Sequence, residues 1–126
     1  MKLEFEIPGD CIAKKNSQTA IRLGKRNMII PSKQYQRWEK ATKAFLLGFP
    51  AWEGTYPVKL RFYHYRATNR AFDLSNMMEG TQDVLQAVGI LAEDNMRHVI
   101  PVIDGLGWEK DAERPRVRII IEEYHD

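Results

Sequence analysis

The chain is 126 residues long, with 44% hydrophobic and 29% charged residues, which sets it among ordinary globular proteins of one domain, residues 1–126. Its single cysteine, Cys11, excludes an intramolecular disulfide and is expected to be a buried, inert thiol. The formal net charge of +2 is too small to argue by itself for any polyanionic partner.

Leu3, Phe5 and Ile7 alternate with Lys2, Glu4 and Glu6, the period of a half-buried strand, and Pro8-Gly9-Asp10 turns the chain. The two glutamates of the first strand do not suit a signal peptide. Ala44–Trp52, the longest uncharged apolar stretch, is too short to span a bilayer and contains Gly48 and Pro50. The expectation is therefore a cytoplasmic protein with no membrane partner. A polar segment with Lys14 and Lys15 follows the first strand. Thr19–Leu23 and Met28–Ile30 then read as a hairpin around Gly24-Lys25-Arg26-Asn27, whose two positive charges suit either a phosphate contact or a solvated turn.

Ser32 is the expected N-cap of a helix. Tyr35, Trp38, Thr42 and Phe45 share one face with Leu46 beside them, whereas Lys33, Arg37, Lys40 and Lys43 line the opposite face and Glu39 falls off that stripe. Gly48-Phe49-Pro50 ends the helix. Val58, Leu60, Phe62 and His64 alternate with Lys59, Arg61, Tyr63 and Tyr65 in a long strand, with His64 expected to be a satisfied, half-buried histidine. Arg66 and Arg70 bracket a polar loop leading to Asp73. A second helix runs from about Leu74 to Val88, with Met77, Thr81, Val84, Leu85 and Val88 inward, Asn76, Glu79 and Asp83 on another face, and Gly89 as the C-cap. Arg97–Ile103 reads as a short or edge strand because of Pro101, followed by a loop at Asp104–Gly107 and a polar excursion with Trp108 and Lys110. Arg116–Tyr124 is the closing strand. The order predicts an α+β domain: a small mixed sheet with two main helices packed on it.

Charge is unevenly distributed. From Lys14 to Lys43 there are nine Lys or Arg residues against one acid, whereas Asp73, Glu79, Asp83, Glu93 and Asp94 gather within the 24 residues from Phe72 to Asn95. A basic half beside an acidic cluster suits a polyanion held over a hard divalent cation, since carboxylate oxygens bind such ions. The same charges also suit a solvated basic surface and a solvated acidic helix face. No phosphate-binding glycine loop, dinucleotide fingerprint, zinc-spaced Cys/His set or nucleophile elbow is present.

Asp73-Leu74-Ser75-Asn76 opening a helix, Asp83-Val84-Leu85 within it, Gly89-Ile90 at its end and Glu93-Asp94 after it form a pattern that resembles the RusA-type Holliday junction resolvases. These are small endonucleases of bacteria, phages and prophages whose hallmark is Asp-Leu-Asp-Asn at a helix start. The Lys14-Lys15 segment and the Pro115-Arg116-Val117 strand also fit, so the resemblance covers most of the chain. It implies a Mg2+-dependent homodimer, with Mn2+ as a substitute and no small-molecule cofactor, that cuts four-way and other branched DNA, in a bacterial host cytoplasm if phage-encoded. Carried over by residue, Asp73 and Asp94 become catalytic metal carboxylates and Glu93 a neighbour of the second. Two positions depart: Ser75 replaces the second acid, and Glu79 stands where the family has a catalytic lysine. The reading is compensation, with Asp73, Glu79 and Asp94 as catalytic metal ligands and Asp83 as a further acid. Lys14, Lys15, Lys25, Arg26, Arg66, Arg70 and Asn76 become DNA contacts. A non-catalytic dimeric binder of branched DNA is the alternative reading, and a plain α+β interaction domain the third.

Overall fold

The computed structural model describes residues 1–12, 18–24, 26–70, 72–92 and 99–125. The elements run β1 (Lys2–Pro8), β2 (Gln18–Leu23), β3 (Arg26–Pro31), α1 (Lys33–Leu46), β4 (Val58–Arg66), α2 (Leu74–Ala87), β5 (Val99–Lys110) and β6 (Arg116–Glu123). Four strands form a mixed sheet in the order β1-β6-β4-β5, antiparallel except for the β4–β5 pair. The expected α+β architecture is what the chain adopts. β2 and β3 form a separate two-stranded ribbon whose register pairs Leu23 with Arg26, so the turn is tighter than the four-residue tip expected.

The alternation read from the sequence becomes register. Leu60 pairs with Ile121, Phe62 with Ile119 and His64 with Val117, while Leu3, Phe5 and Ile7 meet the same β6 residues from the other side. Strict period-two patterning puts all of these on one face, where they join Met77, Val84 and Leu85 of α2 and Tyr35, Trp38 and Leu46 of α1 in one buried cluster. Each large side chain buried there contributes on the order of 1.5–3 kcal/mol. The opposite face is ionic. Arg116 donates to Glu6 at 2.7 Å and to Asp111 at 2.8 Å and lies over the Tyr65 ring at 3.5 Å. Its hydrogen bond, above all, holds the Glu6 carboxyl below the ordinary carboxylate range.

Ser32 caps α1, its hydroxyl accepting from Tyr35 N at 3.1 Å. Phe45, expected inward, is exposed instead and leans on Phe49 at a ring separation of 5.4 Å, with Phe49 in turn against Phe5. Leu46 takes the inward place, because Tyr35, Trp38, Thr42 and Leu46 follow the i, i+3, i+7, i+11 row that faces the sheet. Glu39 also departs from expectation: it lies 3.7 Å from Lys43 and neutralises one member of the basic stripe. Cys11 is buried as expected, its thiol 3.6 Å from the Thr81 hydroxyl, and burial pushes the thiol up to about 12.

β5 differs most from the expectation. Residues 104–107, read as a loop, are a bulge inside one long edge strand. Between the Phe62–Ile103 and His64–Trp108 pairs, β4 advances two residues while β5 advances five. Gly105 and Gly107, at φ +59° and +80°, supply the left-handed conformations that the excursion requires. Pairing then resumes through Trp108 to Lys110, the segment expected to be a polar excursion. Among the described residues no helix is long and apolar enough to cross a membrane.

Candidate functional site

Asp73 is the N-cap of α2. Its Oδ1 accepts from the Asn76 backbone N–H at 3.3 Å and from the Ser75 hydroxyl at 2.7 Å. The Asp-Leu-Ser-Asn run therefore has a local physical logic: an acid whose side chain caps the helix, next to a dipole end that favours negative charge. Asp73, Ser75 and Glu79 are all solvent-exposed.

The residue before Asp73 fixes how the cap is presented. Phe72 lies edge-on to Trp108 with ring centroids 5.3 Å apart, and the Arg66 guanidinium covers it 4.0 Å from the centroid. Arg66 also donates to the Arg70 carbonyl at 2.6 Å, and its backbone carbonyl accepts from Asp111 N at 2.8 Å. Arg66, expected as a DNA contact, makes these contacts within the loop that leads to Asp73. Arg70 is exposed, and its amide donates to the Thr68 hydroxyl at 3.3 Å. Sequence reasoning missed Phe72 and Trp108. The available signal was an aromatic immediately before an N-cap acid, where a hydrophobic side chain often steadies the helix entry.

The acids of α2 divide between two surroundings. Glu79 lines a shallow groove with Ser75, Met78, Gln82 and Pro101, between α2 and β5. Asp83 belongs to the seam between α1 and α2, where Gly80 lies directly against the Tyr35 ring. The buried Tyr35 phenol is pushed up by desolvation and then by the Glu39 and Asp83 carboxylates. Asp73 and Glu79, six residues apart, are separated by about 9 Å of helix rise and roughly 120° of rotation. Among the described residues, no three His, Cys, Asp or Glu side chains are grouped closely enough to hold a metal ion. Glu93 and Asp94 lie outside the described residues, as do Lys14, Lys15 and Lys25, and Arg26 is placed only by its backbone pairing. Ala92, the last described residue before Glu93, donates its amide to the Tyr56 hydroxyl at 3.0 Å, and Leu85 O accepts from Ile90 N at 3.0 Å. The Ala92–Tyr56 bond holds the chain after α2 to the loop before β4, and the Ile90–Leu85 bond closes the end of the helix itself.

Below the Asp73 loop stands His64, wholly buried, its ring stacked on Phe62 and Nδ1 3.4 Å from the Gly107 carbonyl. Nε2 has no partner among the described residues. Burial, first, and the nearby Arg66 charge hold its pKa at about 4, below the ordinary 6.5. The unfolded chain therefore takes up a proton near pH 6.5 that the native protein refuses until about pH 4. Stability is complete above pH 6.5 and falls as pH drops through this window, by up to about 3 kcal/mol from a shift worth 1.4 kcal/mol per unit. Urea denaturation at pH 7, 5.5 and 4.5 should show this slope, and a His64→Gln variant should lack it. An equal slope in both proteins would remove His64 as the cause.

No protein-family model matches the chain, and a search of curated proteins finds no relative.

Proposed function

We propose that this chain is a Mg2+-dependent, structure-specific DNA endonuclease of the RusA type, which resolves four-way junctions and other branched DNA by paired, symmetric phosphodiester hydrolysis. The observation that carries the reading is the presentation of Asp73: an exposed carboxylate fixed at a helix start by Ser75 and Asn76, on a loop held by Phe72, Arg66 and Trp108. A hydrophobic residue before the cap by itself steadies a helix entry; the further contacts of Phe72 with Trp108 and Arg66 add the rigidity that a reacting group needs. Ser75, in place of the family's second acid, turns its hydroxyl onto Asp73 and orients that carboxylate.

The donors suit the ion. Asp73 and the exposed Glu79 offer hard carboxylate oxygens, the ligands that Mg2+ or Mn2+ prefers. When bound, the ion supplies charge neutralisation at the scissile phosphate and a more acidic water. The chain's own groups orient the carboxylates, keep them open to a large substrate and offer Arg70 as an exposed cation beside the cap. Two symmetric nicks require two sites, so the working form is a homodimer.

The alternative, a non-catalytic dimeric binder of branched DNA, draws on one observation: the Asp83 carboxylate helps to raise the Tyr35 phenol, which lies against Gly80 at the seam between α1 and α2. A labelled synthetic four-way junction, incubated with and without Mg2+, separates the two. Paired symmetric nicks only with the metal support the nuclease. Binding without cutting, in Mg2+ and in Mn2+, supports the binder. Absence of binding even at low salt would remove both.

A further inference from the structure

We infer that the outer face of α1 is a second nucleic-acid surface, on which Lys33, Arg37 and Lys40 hold the phosphate backbone of one duplex arm. The inference rests on the DNA reading above for the identity of the polymer, and on the structure of α1 for the rest. Lys33, Arg37 and Lys40 are exposed and follow the i, i+4, i+7 row of one helix face, forming an open patch with Gln36 and Glu39. None of the three forms an ion pair among the described residues.

Two features set this face apart from a generic solvated stripe. The first is its sign. The one acid on α1, Glu39, lies against Lys43 at 3.7 Å and helps to raise the Tyr35 pKa at the α2 seam, so its charge is already engaged. The second is its position. The first turn of α1 contains no acid and begins with Lys33. The helix dipole disfavours a cation there, by about 0.3–1 kcal/mol. Charges that served only helix stability or solubility would be better reversed, with acids at this end. An external anion removes the conflict, because the dipole and Lys33 then act on it together. From Lys33 to Lys40 the helix rises about 10 Å, which spans about three phosphates at 3.4 Å of helix axis each. The Tyr35–Gly80 contact ties this helix to α2, and with it the basic patch to the element that Asp73 caps.

The test is binding of a labelled four-way junction by metal-free protein across a salt series, comparing wild type with the triple variant Lys33→Gln, Arg37→Gln, Lys40→Gln. Glutamine keeps helix propensity, and circular dichroism checks the fold. Lys59→Gln, on the opposite face of the sheet, is the control. The expected result is a log–log salt slope shallower by about 2 to 3 in the triple variant, with affinity at 0.1 M salt weaker on the order of tenfold or more, and less than one unit of change in the control. A folded triple variant with wild-type slope and affinity overturns the inference while leaving the nuclease reading in place. A reduced slope in a protein that never nicks junctions leaves the surface standing and removes the nuclease. No junction binding by wild type at low salt overturns both.

Discussion

Replacing Asp73 with Asn is expected to lower junction cleavage on the order of a hundredfold or more, the loss seen when one charge-stabilising group leaves an active site, while junction binding and thermal stability stay close to wild type. The stability half of this expectation follows from the capping geometry. Asp73 Oδ1 accepts from Asn76 N and from the Ser75 hydroxyl, and Asn offers an equivalent carbonyl oxygen; the two residues cap helices about equally well. Loss of charge is then the only large change. Asp73→Ala separates the two roles, since it also removes the cap and should cost about 1 kcal/mol of stability. Glu79→Gln is the companion experiment. Glu79 is exposed and lies in the groove with Ser75 and Gln82, so amidation should not disturb folding, and a comparable loss of cleavage would mean that it replaces the acid missing at Ser75. If Asp73→Asn abolishes cutting and Glu79→Gln does not, the nuclease stands and the compensation idea falls. Wild-type cutting by Asp73→Asn would reduce Asp73 to a helix cap.

The second large effect is predicted at Gly107, 34 residues after Asp73 in sequence. A methyl group there would lie 2.6 Å from Ile103 Cγ2 and 2.8 Å from Leu74 Cδ2, on a backbone at φ +80°. The left-handed conformation costs an alanine about 1–2 kcal/mol, and displacing two packed side chains adds about 1–3 kcal/mol. Gly107→Ala should therefore lose about 3 kcal/mol, or roughly 10 °C in Tm for a domain of this size. Leu74 is the first residue of α2 and neighbours Asp73, so moving it shifts the cap, and cleavage should fall with stability. Gly105→Ala supplies the comparison: its φ of +59° imposes similar backbone strain, but a methyl group there meets nothing within 4 Å. Thermal unfolding of the two variants gives the answer, and equal losses would mean that the contact with Leu74 carries no weight.

Gly107 also marks where local pattern ceased to be informative. Asp104–Gly107 contains two glycines and no alternation, and a loop is what such a run ordinarily becomes. It is drawn into the sheet because β4 continues past it, and because His64 and Trp108 are brought into register beyond the bulge. Parallel pairing links residues more than forty positions apart through an intervening helix, and nothing in the neighbourhood of Asp104 encodes it. Arg66 is a similar case. Its sequence setting, a polar loop with a second arginine, suggests a solvent-facing cation, and only the approach of Phe72 turns the guanidinium into a clamp.

Everything set by neighbours a few residues apart was legible in the order of the amino acids. Alternation of Val58 through Tyr65 and of Arg116 through Glu122 defined the central strands and the side of each that is buried. Ser32 and Asp73 marked two helix starts, because a side-chain oxygen must meet the unpaired amides of a first turn. The acidic cluster was legible as residues, but not as a constellation. Glu79 and Asp83, four apart on one helix, are near neighbours by spacing alone. Only the tertiary structure turned one toward the β5 groove and the other toward Tyr35, because the packing of α1 on Gly80 determines what surrounds each carboxylate.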